Sequence, residues 1–421
     1  MSIRKAIILL AVAVLTVPGK LPAEILIPMD LTQTDHLKAY GLAYKVLKSG
    51  VNVEWLLNYR GGSFLFEEHE SFLRQARLMG VRYELPGPEK VLSIHALIEE
   101  ENMEVVLLEK APRVAVYTPP NNSPWDDAVT LALTYAEVDY ETLWDEDVLQ
   151  GRLVEYDWLH LHHEDFTGQY SKFYNGYHQR NWFTEEVERN QEVARRFGFP
   201  KVWKLKHAVA SRIVGYVLQG GFLFAMCLAA ETLDIAMAAG DVDIVSSQAD
   251  GDGVTPDARK KMDFRKTLAF KDFYVELNPL VNSFSDIDGH QVNNPPKRQK
   301  IGYFQLFKFS AKYDPVQTLL TQNHTDFIKD FYGQSTSFTR KTLKDAVTVL
   351  AFEQGKPWVK YIHGNAGRGA WTFMGGHDPE DREHRIGDPP TRLELHKNSP
   401  GYRLILNNLL FPAAKKKELK T

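Results

Sequence analysis

The chain's one cysteine, Cys227, lies in Gly220-Gly221-Phe222-Leu223-Phe224-Ala225-Met226-Cys227-Leu228-Ala229-Ala230-Glu231. An apolar strand-like run passes straight into a helical one, with the thiol at the junction. A nucleophile on so sharp a turn needs small neighbours two positions away on each side, and Ala225 and Ala229 supply them. A helix N-terminus also stabilises a thiolate through its dipole. The same sequence suits an inert thiol buried at the start of an apolar helix.

A second segment, Gly367-Arg368-Gly369-Ala370-Trp371-Thr372-Phe373-Met374-Gly375-Gly376-His377-Asp378-Pro379-Glu380, ends an apolar strand in a Gly-Gly turn and then presents His377 with Asp378 and Glu380. An imidazole at a strand end with a carboxylate beside it is the pairing a general base and its orienting partner require. A third segment is His160-Leu161-His162-His163-Glu164-Asp165. The two-residue strand period puts His160 and His162 on one face and His163 on the other. Imidazoles next to carboxylates are zinc-type ligands. Recognised ligand spacing is missing, so these residues are read as lining a substrate pocket, with no metal and no cofactor expected. Asp250-Gly251-Asp252-Gly253 lacks the later Glu of an EF-hand and reads as an exposed turn. Arg60-Gly61-Gly62 could take an anion, but a Gly-Gly pair after a strand reads first as a turn.

The elements that must position these residues alternate between strand and helix. Ile25–Ile27, a helix carrying Leu37, Tyr40, Tyr44 and Leu47 capped by Thr34 or Asp35, and Val51–Leu57 form a βαβ pattern within 24–110. From Arg113 the expected strands are Val114–Tyr117, Tyr140–Trp144, Tyr156–His163 and Phe222–Met226. The expected helices are Trp125–Ala136, Thr184–Phe197, Val202–Leu218 and Leu228–Ala239. Loop signals, Asn293–Pro296 among them, mark 246–341 as an irregular insertion over the sheet edge. Strands at Val347–Phe352, Trp358–Ile362 and Ala370–Met374 and a helix at Tyr402–Leu410 close the chain. This alternation predicts an α/β fold with a parallel sheet covered on both faces, preceded by a smaller N-terminal α/β domain. The divisions are 1–23, 24–110, 111–413 and a basic tail at 414–421.

With 50 Lys and Arg against 54 Asp and Glu, the net charge of -4 offers no global attraction to nucleic acid or anionic membrane. Arg4 and Lys5 followed by the apolar run Ile7–Val17 predict a signal peptide cleaved after Ala23, hence a periplasmic or secreted protein without an integral membrane segment. One cysteine excludes an intramolecular disulfide.

The elbow at Cys227 and the later His377-Asp378-Pro379-Glu380, together with the Gly367-Arg368-Gly369 strand, resemble the class I glutamine amidotransferase-like superfamily and its ThuA-like branch over about 113–413. The segments Trp55–Leu65 and Asn398–Lys415 resemble exported bacterial proteins labelled asparagine synthetase B. The chain has neither the Cys after the initiator Met nor the Ser-Gly-Gly-x-Asp-Ser ATP loop of true asparagine synthetase B, so no ATP-dependent reaction is expected. The resemblance implies a flavodoxin-like doubly wound sheet and a Cys-dependent amidohydrolase or amidotransferase. It makes Cys227 the nucleophile, His377 the base, Glu380 or Asp378 its orienting partner and the Leu228 amide an oxyanion donor. The substrate would be a small amide or carbohydrate-related molecule, with His160, His162, His163 and Glu164 around it. Two alternatives stand beside this: a non-catalytic carbohydrate- or partner-binding protein on the same fold, and a metal hydrolase using His160, His162 and His377.

Overall fold

The computed structural model describes residues 23–120, 127–289, 302–381 and 389–415. The expected signal segment (save Ala23), Trp125, Asn293–Pro296 and most of the basic tail lie outside them.

Strands β1 (Glu24–Ile27), β2 (Val53–Leu57), β3 (Ser63–Glu67) and β4 (Glu104–Leu108) form one sheet in the order β1-β3-β2-β4, every pairing antiparallel. The expected βαβ crossover is present, because β1 and β2 both run against β3 and so share a direction. β3, unforeseen, inserts between them. The helix His36–Lys48 joins β1 to β2, with Asp35 as its cap through the Lys38 amide. The Arg60-Gly61-Gly62 segment is a turn, and the guanidinium is spent on Asp30 and Glu84.

The larger sheet holds β5 (Val114–Tyr117), β6 (Glu141–Leu143), β7 (Trp158–Leu161), β8 (Phe222–Met226), β9 (Tyr303–Leu306), β10 (Phe327–Lys329), β11 (Phe338–Thr339), β12 (Thr348–Phe352), β13 (Trp358–Ala366) and β14 (Gly369–Met374). Its order is β10-β9-β12-β13-β14-β8-β7-β5-β6, with β11 on β13. Strands β6, β5, β7, β8 and β14 are mutually parallel. The others are antiparallel, which corrects the expectation of a parallel sheet: of the strands expected after residue 341, β14 joins the parallel set and β12 and β13 do not. Gly367-Arg368 alone links β13 to β14, and so short a connection can join only antiparallel strands. The insertion at 246–341 is likewise not wholly irregular, since β9, β10 and β11 extend the sheet.

Every residue of Phe222–Met226 is buried, as expected of a central parallel strand covered on both faces. On one face lie the helices Ala128–Tyr135 and Pro400–Leu410, which pack with His36–Lys48 of the first sheet's layer into a continuous apolar core. On the other lie Val202–Leu218 and the helix Cys227–Ala239. All thirteen residues of Cys227–Ala239 are buried, because the insertion folds over it: Asp234 accepts the amides of Leu268, Ala269 and Phe270. Among the described residues, no helix is long and apolar enough to cross a membrane.

Candidate functional site

Parallel strands bring their carboxyl ends to one edge, where ligands bind in open α/β sheets. Registers Leu161↔Ala225 and Met374↔Met226 put the ends of β7, β8 and β14 level. The residues that follow are His162-His163, Cys227 and Gly375-Gly376-His377. Since β8 lies between β7 and β14, the rings of His162 and His377 meet across its end, centroids 4.6 Å apart.

Cys227 takes a left-handed backbone, φ 49°, which costs a non-glycine residue of order 1–3 kcal/mol and persists only where the surroundings impose it. The thiol is fully buried. A strap, Phe331–Thr336, closes over it: the amides of Gln334 and Ser335 donate to Sγ at 3.2 and 3.4 Å. Burial pushes the thiol pKa up to about 12, against the opposing pull of these amides. A Cβ on Gly333 would stand 2.8 Å from Sγ and 2.9 Å from His377 Cδ2, so the two side chains face each other across a single missing methyl.

The strap is held on both sides. Its Tyr332 and Ser335 carbonyls accept the amides of His377 and Gly376, at 2.7 and 2.8 Å. Gly376 has φ 78° and Gly375 lies against the Thr336 carbonyl, so the Gly-Gly turn exists to let the strap lie flat on it. On the other side, Glu231 Oε2 accepts the Ser335 hydroxyl at 2.6 Å, and its Oε1 accepts Ser285 at 2.6 Å. Glu231 stands one helical turn after Cys227. That i+4 spacing was its signal in the sequence, but nothing there placed Ser335 against it.

The carboxylates expected to orient His377 hold other groups. Glu380 Oε2 lies 3.3 Å from Lys329 Nζ and 3.5 Å from His396. Asp378 Oδ1 caps the next turn through the Glu380 and Asp381 amides. The cause is the direction of the chain, which folds back onto the strap after His377: the Tyr332 amide donates to the Asp378 carbonyl.

The histidine segment also departs from strict alternation. β7 ends at Leu161, so His163 is not held on the opposite face. Its ring packs 4.5 Å from that of His162 and 5.6 Å from that of His377. His160 is fully buried, and its Nδ1–H donates to the Phe224 carbonyl at 3.1 Å. Behind it stands Asp127, absent from the expected set. Its oxygens lie 3.5 Å from His160 Nε2 and from His162 Nδ1. Burial works to raise the Asp127 pKa, but the two imidazoles and the Val129 amide hold it well below the carboxylate range. Glu164 accepts the His162 amide at 2.8 Å, and burial pushes its carboxyl up to about 8. Burial, with the neighbouring histidines, holds His162 far below the usual imidazole pKa, although Asp127 opposes this.

The ligand nitrogens of His162, His163 and His377 all lie within 4.8 Å of one another. The sequence shows no such spacing because the sheet, not the chain, creates it. The acidic turn at Asp250 and Asp252 is occupied by the Lys201 ammonium, 2.6 Å from Asp252. A cavity of about 850 Å³ lies at the opposite, amino edge of the sheet, bounded by Gly221, Arg368 and Tyr313, away from these groups.

No family model and no curated protein matches the chain. Among solved structures, a Salmonella typhimurium cytoplasmic protein, STM3548, is similar at 10% identity and TM-score 0.36, covering 72% of this chain and all of its own. A β-galactosidase from Bacillus circulans sp. alkalophilus is similar at 11% identity and TM-score 0.27, covering 64% of this chain and 29% of its own. Likenesses this distant carry no functional argument.

Proposed function

We propose that this protein is a Cys-dependent amidohydrolase of the glutamine amidotransferase-like kind, acting on a small carboxamide in the cell envelope. One observation carries the reading. Cys227 is held in a left-handed backbone at the carboxyl end of a central parallel strand, with His377 from the adjacent strand facing it across Gly333. The parallel strands run β6-β5-β7-β8-β14, which in chain order is 2-1-3-4-5, the order of the flavodoxin-like doubly wound sheet.

In this reading the Cys227 sulfur attacks the amide carbonyl while His377 accepts the thiol proton. The Leu228 amide serves as the oxyanion donor. His377 returns the proton to the leaving ammonia. Water then cleaves the thioester, freeing the carboxylate and restoring the thiol. The sealed thiol is the resting state, and substrate enters when the strap lifts.

The test is ammonia release from a panel of small carboxamides, with covalent capture by a chloroketone analogue of glutamine. Cys227→Ser should abolish both, while His377→Asn should slow both by about 100-fold or more. Ammonia release unchanged in Cys227→Ser, or no capture of Cys227 by the chloroketone, sinks the reading and leaves a binding protein on this fold.

A further inference from the structure

We propose that His162, His163 and His377 form a binding site for one zinc-class divalent cation at the carboxyl edge of the large sheet. Tetrahedral nitrogens about 2.0–2.1 Å from one ion stand about 3.3–3.4 Å apart, and these three imidazole nitrogens, already within 4.8 Å of one another, reach that spacing with small side-chain movements.

A second, independent observation points the same way. His162 is 2% exposed, yet neither of its ring nitrogens has a hydrogen-bond partner. Burying an unsatisfied polar group costs about 1–3 kcal/mol, so native structures keep few of them without a reason. Asp127 stands 3.5 Å from Nδ1, at ion-pair range and without a hydrogen bond. That is the position of the carboxylate that orients a metal-bound imidazole from behind and leaves Nε2 for the ion. Glu164, bonded to the His162 backbone amide, fixes the start of the segment.

The donor set names the class of ion. Neutral imidazoles suit zinc, cobalt, nickel and copper, whereas calcium and magnesium require oxygen ligands. The burial names the type of site. His162 is enclosed, His377 is half-buried and His163 is exposed, so protein covers one side of the ion and the other faces solvent. Three protein ligands with an open position is the pattern of a zinc that binds water or substrate, in contrast to a closed four-ligand structural site.

The site goes beyond the thiol reading and does not rest on it. The two share His377, so a bound ion takes the lone pair that would accept the Cys227 proton, and zinc occupancy silences the thiol chemistry. The chain would then carry an ion-controlled switch between a free and a masked base.

The experiment uses the full chain, produced without a polyhistidine tag and stripped of metal by chelator. Zinc is titrated by calorimetry and cobalt by its visible absorption. One equivalent should bind per chain. His163→Ala, on an exposed side chain that leaves the fold intact by circular dichroism, should weaken zinc binding by about 100-fold or more. Asp127→Asn, which keeps an acceptor for its helix cap, should weaken it by about 10–100-fold. Cys227→Ala should bind zinc as the parent does. A parent protein that binds no zinc below millimolar concentration, or His163→Ala binding as tightly as the parent, overturns the proposal. These readouts need no catalysis, so failure of the thiol reading leaves them unchanged, and failure here leaves the Cys227 test standing.

Discussion

Ser335→Ala tests whether the strap gates the thiol. The hydroxyl of Ser335, 2% exposed, donates to Glu231 Oε2 at 2.6 Å, while the Ser335 amide donates to Cys227 Sγ. Removing the hydroxyl strips one donor from a buried carboxyl group in the closed state and changes nothing in the open state, where water replaces it. A loss of that kind costs roughly 1–3 kcal/mol, which raises the open population by about 5- to 150-fold at 1.4 kcal/mol per tenfold. Cys227 is the chain's one cysteine, so the rate of alkylation by iodoacetamide reports a single atom. When opening and closing are fast relative to labelling, that rate follows the open population. Ser335→Ala should therefore label about 5- to 150-fold faster than the parent, with the thermal midpoint lowered by a few degrees at most. Ser93→Ala, on an exposed helix far from the strap, serves as the control. Two results would refute the reasoning: a change of less than twofold, or a parent thiol that labels as fast in the native protein as in denaturant.

Further predictions concern charges inside the fold. Burial of His363, 1% exposed, lowers its pKa from 6.5 to about 4. The folded pKa lies below the unfolded one, so protonation favours unfolding: stability is whole above pH 6.5 and falls as the pH drops toward 4. At about 1.4 kcal/mol per pH unit the loss is roughly 3 kcal/mol. His363→Gln should remove that part of the slope in urea titrations across this range, and parallel slopes for parent and variant would contradict it. Lys206, 5% exposed, meets the fully buried Asp145 at 2.8 Å. Lys206→Met should cost about 3–5 kcal/mol by leaving that carboxylate unpaired, and adding Asp145→Asn should restore much of it. A single-variant cost under about 1 kcal/mol would show that the pair is not a buried charge pair in solution.

The sequence alone determined the elements whose signals are local. The run Phe222–Met226 is a continuous apolar strand and ends where Cys227 turns the chain, because no polar residue interrupts it and no spacer precedes the helix. Val202–Leu218 was legible to the residue from its helical period. The resemblance to the amidotransferase-like superfamily suggested Cys227 and His377 as partners, and the rule that parallel strands share a carboxyl edge explains why both stand at one edge. The tertiary structure decided what depends on distant segments. β3 and the hairpin strands β12 and β13 carry the same apolar alternation whichever way they run, and only the short turns and the neighbours already in place made them antiparallel. Asp127, Ser335 and Glu231 look like an ordinary cap, a loop serine and a helix-surface acid until the strap and β7 fold against them. The strap that seals the thiol lies more than a hundred residues after it. The three imidazole nitrogens converge because the ends of β7 and β14 flank β8 at one level, and no spacing along the chain encodes a distance that the sheet register sets.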